Sequence, residues 1–173
     1  MAQLLIRKEK YEDATYLYKA SLRCCMRILG PNHIQTGEVH MDYARLQLLK
    51  GKKDDSLRHF IEAQLIYKNY FGTEALQTAE ASMQIANLME EDKRLKKAYE
   101  YAKVASQTYQ TVYAEDNPLI IKAMWQELSI AYALYEKDAL ALAEKLYYTL
   151  AKRDYIIQAG GTGHNQKARR QQR

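Results

Sequence analysis

The sequence predicts an all-α protein built from antiparallel helix hairpins that stack in a line. The first observation is an internal repeat, because residues 2–14 match residues 44–56 when the sequence is shifted by 42 positions. The second is the scarcity of turn residues: 7 Gly and 2 Pro among 173 residues are too few for an all-β fold. A repeat of this length is typical of arrays in which each unit buries its apolar face against the next.

Turn residues and acidic helix starts divide the chain into eight predicted helices. Asp13, Asp54 and Asp55 lie near helix N-termini, where the helix dipole favours negative charge. Pro31 and Pro118 are expected in the longer loops. The predicted helices are 2–8, 11–29, 37–50, 54–71, 78–91, 95–114, 119–136 and 139–158.

Small residues recur where paired helices come closest, and a bulky residue four positions later fills the gap. In the second helix of each unit the small sets are Ala14, Ser56 and Ala98, then Ser21, Ala63 and Ala105. The bulky position is Tyr18, then Phe60, and becomes Ala102 in the third unit. The first helix gives the sets Ala44, Ala86 and Leu128, and Leu46, Leu88 and Ile130.

The fourth unit fits this register best when one residue is deleted in its turn. Ala139 and Ala143 then face inward, whereas without the deletion Glu144 would have to be buried. The array is therefore expected to span residues 1–158, about three and a half repeats. Residues 159–173 are expected to form a flexible basic tail.

This pattern of small, aromatic and small residues resembles the tetratricopeptide repeat. The 42-residue spacing, with loops such as Gly30-Pro-Asn-His33, resembles the repeats of kinesin light chains and of the clustered-mitochondria family. The resemblance covers roughly residues 1–157. It implies a right-handed superhelical solenoid whose first helices line a concave surface that holds another polypeptide.

One departure from the kinesin light chain pattern concerns the groove. Those repeats usually carry an Asn pair that holds the backbone of a bound peptide. The corresponding pairs here are Met41-Asp42, Met83-Gln84 and Trp125-Gln126. We therefore carry over the scaffold role and not the cargo. The residues predicted to contact a partner are Glu38, Met41, Asp42, Arg45, Glu80, Met83, Gln84, Asn87, Lys122, Trp125, Gln126 and Ser129.

For the methionines of this set, the alternative is that they cover a neighbouring helix, and the single Trp has a structural alternative as well. The two Met and the Trp offer adaptable apolar contact, which suits peptide recognition. Asp42, Gln84 and Gln126 are able to hydrogen-bond the backbone of an extended chain.

The net charge of +5 is concentrated at the C-terminus. Lys167, Arg169, Arg170 and Arg173 are accompanied there by no acidic residue, and the rest of the chain is almost neutral. These four residues are candidates for contact with an acidic surface, with a merely solvated tail as the alternative.

The sequence offers no catalytic constellation, and we predict that the protein is not an enzyme and needs no cofactor. His33, His40, His59 and His164 show no metal-binding spacing, and Gly160-Gly-Thr-Gly163 lacks the Lys-Ser or Lys-Thr of a phosphate loop. The adjacent Cys24 and Cys25 are read as small helix residues in a reducing compartment. No apolar run is long enough to span a membrane, and no secretory signal is apparent, so a cytoplasmic location is expected.

The function predicted from the sequence is a protein-interaction scaffold, set in a cytoskeletal or ciliary assembly such as one on microtubules. The alternative is an RNA-associated repeat subunit that uses the basic tail. The nearly neutral array weakens this alternative, because it offers no continuous basic groove for a phosphate backbone. Since Ala2 matches Ala44, the chain begins partway through a first helix, and its N-terminal edge is expected to continue a longer array or to dock on a partner.

Overall fold

The computed structural model describes residues 2–114, 117–135 and 139–153, and every regular element in these ranges is a helix. The helices are α1 (Ala2–Arg7), α2 (Tyr11–Ile28), α3 (Ile34–Leu49), α4 (Lys53–Phe71), α5 (Leu76–Glu91), α6 (Leu95–Val112) and α7 (Pro118–Ala133). Residues 139–153 are also helical, and we label them α8.

The helices pack mainly against their neighbours in sequence. The most extensive contacts are within the hairpins α3–α4 and α5–α6, followed by the contacts of α4 with α5 and of α6 with α7. The first helices α5 and α7 also touch each other. This linear order confirms the predicted all-α array of stacked antiparallel hairpins.

The backbone turns repeat with the same 42-residue period as the side chains. Glu9, Gly51, Lys93 and Tyr135 all have positive φ angles, of 59°, 74°, 60° and 55°, and each follows the first helix of a hairpin. Such a conformation ends a helix by satisfying its last carbonyl groups. Only one of the four is Gly, the residue for which the conformation carries no steric cost.

The loops between hairpins repeat as well. Gly30 and Gly72 have φ angles of 97° and 95°. The hydroxyl of Thr36 donates to the carbonyl oxygen of Gly30 over 2.8 Å, and that of Thr78 donates to Gly72 over 2.8 Å. Both threonines are fully buried, so these bonds hold each loop against the helix that follows it.

Several helices begin one to three residues earlier than predicted, and two of these starts carry a side-chain N-cap. Helix α3 begins at Ile34, three residues earlier than expected, and α5 begins at the equivalent residue Leu76, two residues earlier than expected. In α3 the His33 ring accepts a hydrogen bond from the backbone N–H of Gln35, whereas Ala75 gives α5 no side-chain cap. Pro118 is not a loop residue but the first residue of α7, where its missing N–H costs nothing. The side chain of Asn117 caps this helix by accepting from Leu119 N–H over 2.9 Å.

The predicted register of the core is confirmed in most positions. Tyr18, Phe60 and Ala102 are buried. Ala139 and Ala143 are half-buried while Glu144 is exposed, as the one-residue deletion requires. The small residues that are fully buried are Ala14, Ser56, Ala63, Ala98 and Ala105.

Ser21 is a correction, since it is exposed although its equivalents Ala63 and Ala105 are fully buried. The reason is the length of α1. Ala63 lies opposite the N-terminal half of α3, and α1 has only the six residues that correspond to the C-terminal half of a first helix. The predicted boundary between array and tail at residue 158 lies outside the described residues and stays a prediction.

Candidate functional site

The first helices lie side by side, and polar side chains connect each one to the next. Helix α1 is joined to α3 by a hydrogen bond from Gln3 Nε2 to Asp42 Oδ2 over 3.3 Å. Asn87 of α5 and Gln126 of α7 hold the same two repeat positions, and here the later helix donates, with 2.5 Å between Nε2 of Gln126 and Oδ1 of Asn87. We call the solvent-facing side of α3, α5 and α7 the first-helix face.

A charged cluster joins α3 to α5 on this face. The Arg45 guanidinium lies 3.2 Å from a carboxylate oxygen of Asp42 and 2.5 Å from one of Glu80. The Arg45 and Glu80 side chains are about half exposed, so such a pair contributes about 1 kcal/mol or less to stability. These groups can therefore be exchanged without unfolding the protein, which makes the face testable by substitution.

A groove of about 250 Å³ opens on the first-helix face between α5, α6 and α7. Glu80, Gln84 and Lys122 supply its polar groups. Its apolar lining comes from Met83, Leu76, Leu119, Tyr109 and Tyr113. The groove thus places a carboxylate, a carboxamide and an ammonium group around an apolar floor.

Tyr109 lies at the buried end of this groove, where 5% of its surface is exposed. Burial, and secondarily the Glu80 carboxylate, raises the pKa of Tyr109 to about 12. A Tyr hydroxyl is protonated at neutral pH in any case, and the raised pKa keeps that of Tyr109 a hydrogen-bond donor in more alkaline solution as well.

Of the twelve residues predicted to contact a partner, ten are exposed or partly exposed on this side of α3, α5 and α7. The two exceptions are Met41 and Met83, each only 4% exposed. They are corrected to core residues, because the hairpin that follows each of them covers it: Met41 shares a hydrophobic cluster with Ala81 and Ile85, and Met83 shares one with Ile120 and Met124. Met83 contributes to the groove only as part of its floor.

Trp125 occupies the same repeat position as Met41 and Met83 but is 59% exposed. It lines a second, mainly apolar groove of about 650 Å³ between α7 and α8, which we call the end groove. The end groove is lined by Trp125, Leu128, Ser129, Tyr132, Ala139, Leu140 and Ala143. Of the three apolar residues in the predicted contact set, Trp125 is therefore exposed, and Met41 and Met83 are buried.

The structure also brings together two histidines that the sequence analysis left apart. His40 of α3 and His59 of α4 meet with their Nδ1 atoms 2.9 Å apart, so one ring donates and the other accepts. Burial lowers the pKa of both rings, and for His59, with the nearby His40 and Arg58 adding to the effect, to about 4. His40 and His59 lie at about equal distances before and after the Lys50–Gly51 turn. Residues placed in this way face each other in an antiparallel helix hairpin, so this spacing could have predicted the pair.

The predicted acidic-surface contacts Lys167, Arg169, Arg170 and Arg173 lie outside the described residues. Within the ranges that the structure describes, no group of three His, Cys, Asp or Glu side chains is arranged to hold a metal ion. No helix in those ranges combines the length and the hydrophobicity needed to cross a lipid bilayer.

Comparisons with known proteins agree with this architecture. Residues 1–63 match the tetratricopeptide repeat family model. No curated protein matches the sequence.

Solved structures share the fold, and the following are two of them. BtubC (BKLC) from P. vanneervenii superposes with a TM-score of 0.76 at 13% identity, over 88% of this chain and 61% of that one. Nearly identical TPR-like repeats attributed to a kinesin light chain of Podosopora anserina superpose with a TM-score of 0.75 at 13% identity, over 87% of this chain and 72% of that one.

The chain thus spans about three fifths of the length of BtubC. At 13% identity these neighbours establish the fold and not the partner. The chain thus shares the helical-repeat fold of these structures over most of its length, and its residues 1–63 match the tetratricopeptide repeat model.

Proposed function

We propose that this protein is a non-catalytic scaffold that binds an extended peptide or a partner subunit across its first-helix face. The observation that carries the proposal is the groove between α5, α6 and α7. An extended peptide presents alternating N–H and C=O groups together with side chains. A carboxamide that both donates and accepts, set beside a carboxylate, an ammonium group and an apolar floor, is suited to hold such a chain.

Lys122 and Gln84 are the polar groups best placed to test this function. Both line the groove, and Gln84 is half-buried while Lys122 is exposed. We expect peptides selected from a random library against the wild-type chain to bind the double variant Gln84→Ala, Lys122→Ala at least about tenfold more weakly, which is about 1.4 kcal/mol. Fluorescence anisotropy of labelled peptides measures this loss.

The matched control changes the same residue types on α6. Gln107 and Lys96 are both exposed there, and neither lines the groove. The variant Gln107→Ala, Lys96→Ala is expected to bind the selected peptides as the wild type does. Equal affinity for the groove variant and the wild type, or an equal loss in the control, would contradict the proposed site.

We further propose that the scaffold works in a cytoskeletal or ciliary assembly. Two observations support this setting: the fold is shared with repeats attributed to a kinesin light chain, and the four basic residues of the tail suit an acidic surface. Replacing Lys167, Arg169, Arg170 and Arg173 by Ala is expected to reduce co-sedimentation of the full chain with microtubules at low salt. Unchanged co-sedimentation would remove the tail from the proposal.

A further inference from the structure

A polar cavity of about 470 Å³ lies between the first and the second hairpin. Its lining comes from α2, from the C-terminal half of α3, from the turn that follows and from the N-terminal half of α4. We call it the junction cavity. Its volume is within the range of about 300–1,000 Å³ that is typical of small-molecule sites. It shares no residue with the groove between α5, α6 and α7, so the two can be tested separately.

Positive charge dominates the lining of the junction cavity. Four basic and two acidic residues line it, and burial holds the pKa of His59, which also lines it, at about 4, so that this ring is neutral at pH 7. Both acidic residues already have a cation: Glu12 pairs with Lys50 at 2.8 Å, and Asp55 pairs with Arg58 at 2.6 Å. The other basic residues of the lining, which form no ion pair with any residue that the structure describes, are Lys19, Arg23 and Lys52. An anion is therefore the ligand that complements this charge.

Gln47 adds a buried hydrogen-bond acceptor without a partner. The residue lines the cavity and is 4% exposed. Its Nε2 donates to Asp55 Oδ2 over 3.4 Å, whereas its Oε1 is buried and accepts no hydrogen bond from any residue that the structure describes. Exchanging the two amide atoms does not remove the problem, because Oε1 would then face the Asp55 carboxylate, which is also an acceptor. A buried carbonyl oxygen without a donor costs free energy, and a ligand with a hydroxyl group supplies that donor.

The second junction indicates that the stacking of hairpins does not need these polar groups. Three polar residues of the cavity, Thr15, Lys19 and Gln47, correspond 42 positions later to Leu57, Ile61 and Met89. These three apolar residues pack in one hydrophobic cluster. Apolar side chains therefore suffice to pack two hairpins at this repeat position, and the polar lining of the junction cavity serves another purpose.

We propose that the junction cavity binds a phosphate ester of a polyol, such as a sugar phosphate or a phosphorylated inositol. A phosphate monoester carries a charge of about −1.5 to −2 at neutral pH, which matches the excess positive charge of the lining. Its phosphate oxygens accept hydrogen bonds from Lys19, Arg23 and Lys52, and a hydroxyl group of the polyol donates to Gln47 Oε1. The same chemistry occurs in free metabolites and in the headgroups of phosphorylated inositol lipids.

Isothermal titration calorimetry on the full chain at low salt tests the soluble form of this ligand. The probes are glycerol 3-phosphate, glucose 6-phosphate and inositol 1-phosphate. At least one of them is expected to bind with a Kd below about 1 mM. Glucose, which has hydroxyl groups and no charge, and sulfate, which has the charge and no donor, are each expected to bind at least about tenfold more weakly. Sulfate that binds as tightly as the best ester would mean adventitious anion binding only and would overturn the proposal.

Vesicles of phosphatidylcholine and phosphatidylinositol 4-phosphate distinguish the two sources of the ester. Binding of a soluble ester without co-sedimentation with these vesicles assigns the cavity to a free phosphate ester. Co-sedimentation that vesicles of phosphatidylcholine alone do not support assigns it to the lipid headgroup. Failure of all three soluble esters and of these vesicles to bind would overturn the proposal.

Gln47→Met tests the buried acceptor, since Met is the residue that the second junction has at this position. The variant is expected to bind the best ester about tenfold more weakly, near the affinity of sulfate, and to leave the affinity for sulfate unchanged. Its thermal unfolding is expected at or above the wild-type temperature, because the unpartnered oxygen is removed. Wild-type affinity of this variant for the ester would contradict the proposed role of Gln47.

Lys19→Ala with Arg23→Ala tests the charged rim with little risk to folding, because both side chains are exposed. This double variant is expected to lower the affinity for the best ester, or for the vesicles, at least about tenfold. The control is Arg27→Ala with Lys68→Ala, which makes the same change in net charge at two exposed residues that do not line the cavity. The control is expected to bind as the wild type does. Equal losses in the two double variants would mean that net charge and not the cavity binds the ester, and the proposal would fail.

Discussion

Phe60→Ala is expected to destabilise the protein by about 3–5 kcal/mol, the cost typical of truncating a fully buried Phe. Among the residues that the structure describes, Phe60 is the largest side chain with no exposed surface, and its hydrophobic cluster reaches from Met41 of α3 to Ile130 of α7. The cavity therefore lies within the stacking of three hairpins. Since single domains are stable by about 5–15 kcal/mol, this loss is a large share of the total. Urea unfolding followed by circular dichroism measures it.

The chain provides its own matched control for this truncation, because its only other Phe lies near the surface. Phe71 is 42% exposed at the C-terminal end of α4, with ring contacts to Tyr67 and Tyr70. Phe71→Ala is expected to cost about 1 kcal/mol or less. Similar losses for the two variants would mean that burial against the neighbouring hairpins does not set the stability of the array.

The repeat could be predicted from the sequence because the constraint that creates it is local. Where two helices cross closely, only a small side chain fits, so Ser56, Ala98 and their equivalents recur at a fixed spacing. The same spacing located the turns and, through Ala139 and Ala143, the deletion in the fourth unit. Helix starts were less accurate, because α3 and α5 both begin before the first position that the side-chain pattern marks.

The candidate site was predicted less completely, because exposure depends on what the next hairpin covers. Met41, Met83 and Trp125 share one repeat position, yet two are core residues and one is exposed. A repeat alignment treats the three as equivalent, since it records position within a unit and not place in the stack. The end groove was missed for the same reason.

Contacts between hairpins also differ in spacing from the repeat itself. Gln3 and Asp42, like Asn87 and Gln126, pair at 39 residues and not at 42. Each pair therefore joins two different repeat positions on the facing sides of adjacent first helices. Similarity between units carries no information on which repeat positions face each other, so the pairs became visible only in the structure.

Acidification is expected to destabilise the protein through His40 and His59 before most carboxylates titrate. Burial holds the pKa of both rings below the ordinary value near 6.5, and that of His59 at about 4. At pH values between the folded and the unfolded pKa, the unfolded chain therefore binds more protons than the folded chain. The stability that the two neutral rings contribute is fully present above the pKa of His in the unfolded chain, and it is lost as the pH falls towards 4. For His59 alone we expect a loss of about 1–2 kcal/mol by pH 5.

Geometry adds to this effect, because the contact between the two Nδ1 atoms requires one of them to accept a hydrogen bond. Once both rings are protonated, both atoms are donors and two positive charges face each other. Glu62, which faces His40, and Asp55, which faces His59, oppose this loss only in part, since the pKa of both rings remains lowered. Urea unfolding at pH 7.5 and at pH 5 measures the difference in the free energy of unfolding.

His59→Gln is the variant that tests the assignment, since it removes a titrating ring and keeps a polar side chain of similar length. Its free energy of unfolding is expected to fall less between pH 7.5 and pH 5 than that of the wild type. His33→Asn is the control, because Asn keeps the acceptor that caps α3 while a His elsewhere is removed. If His33→Asn flattens the pH dependence as much as His59→Gln does, the buried pair is not its source. If neither variant changes the loss of unfolding free energy between pH 7.5 and pH 5, that loss comes from the carboxylates. The contact between α3 and α4 then tolerates a charge.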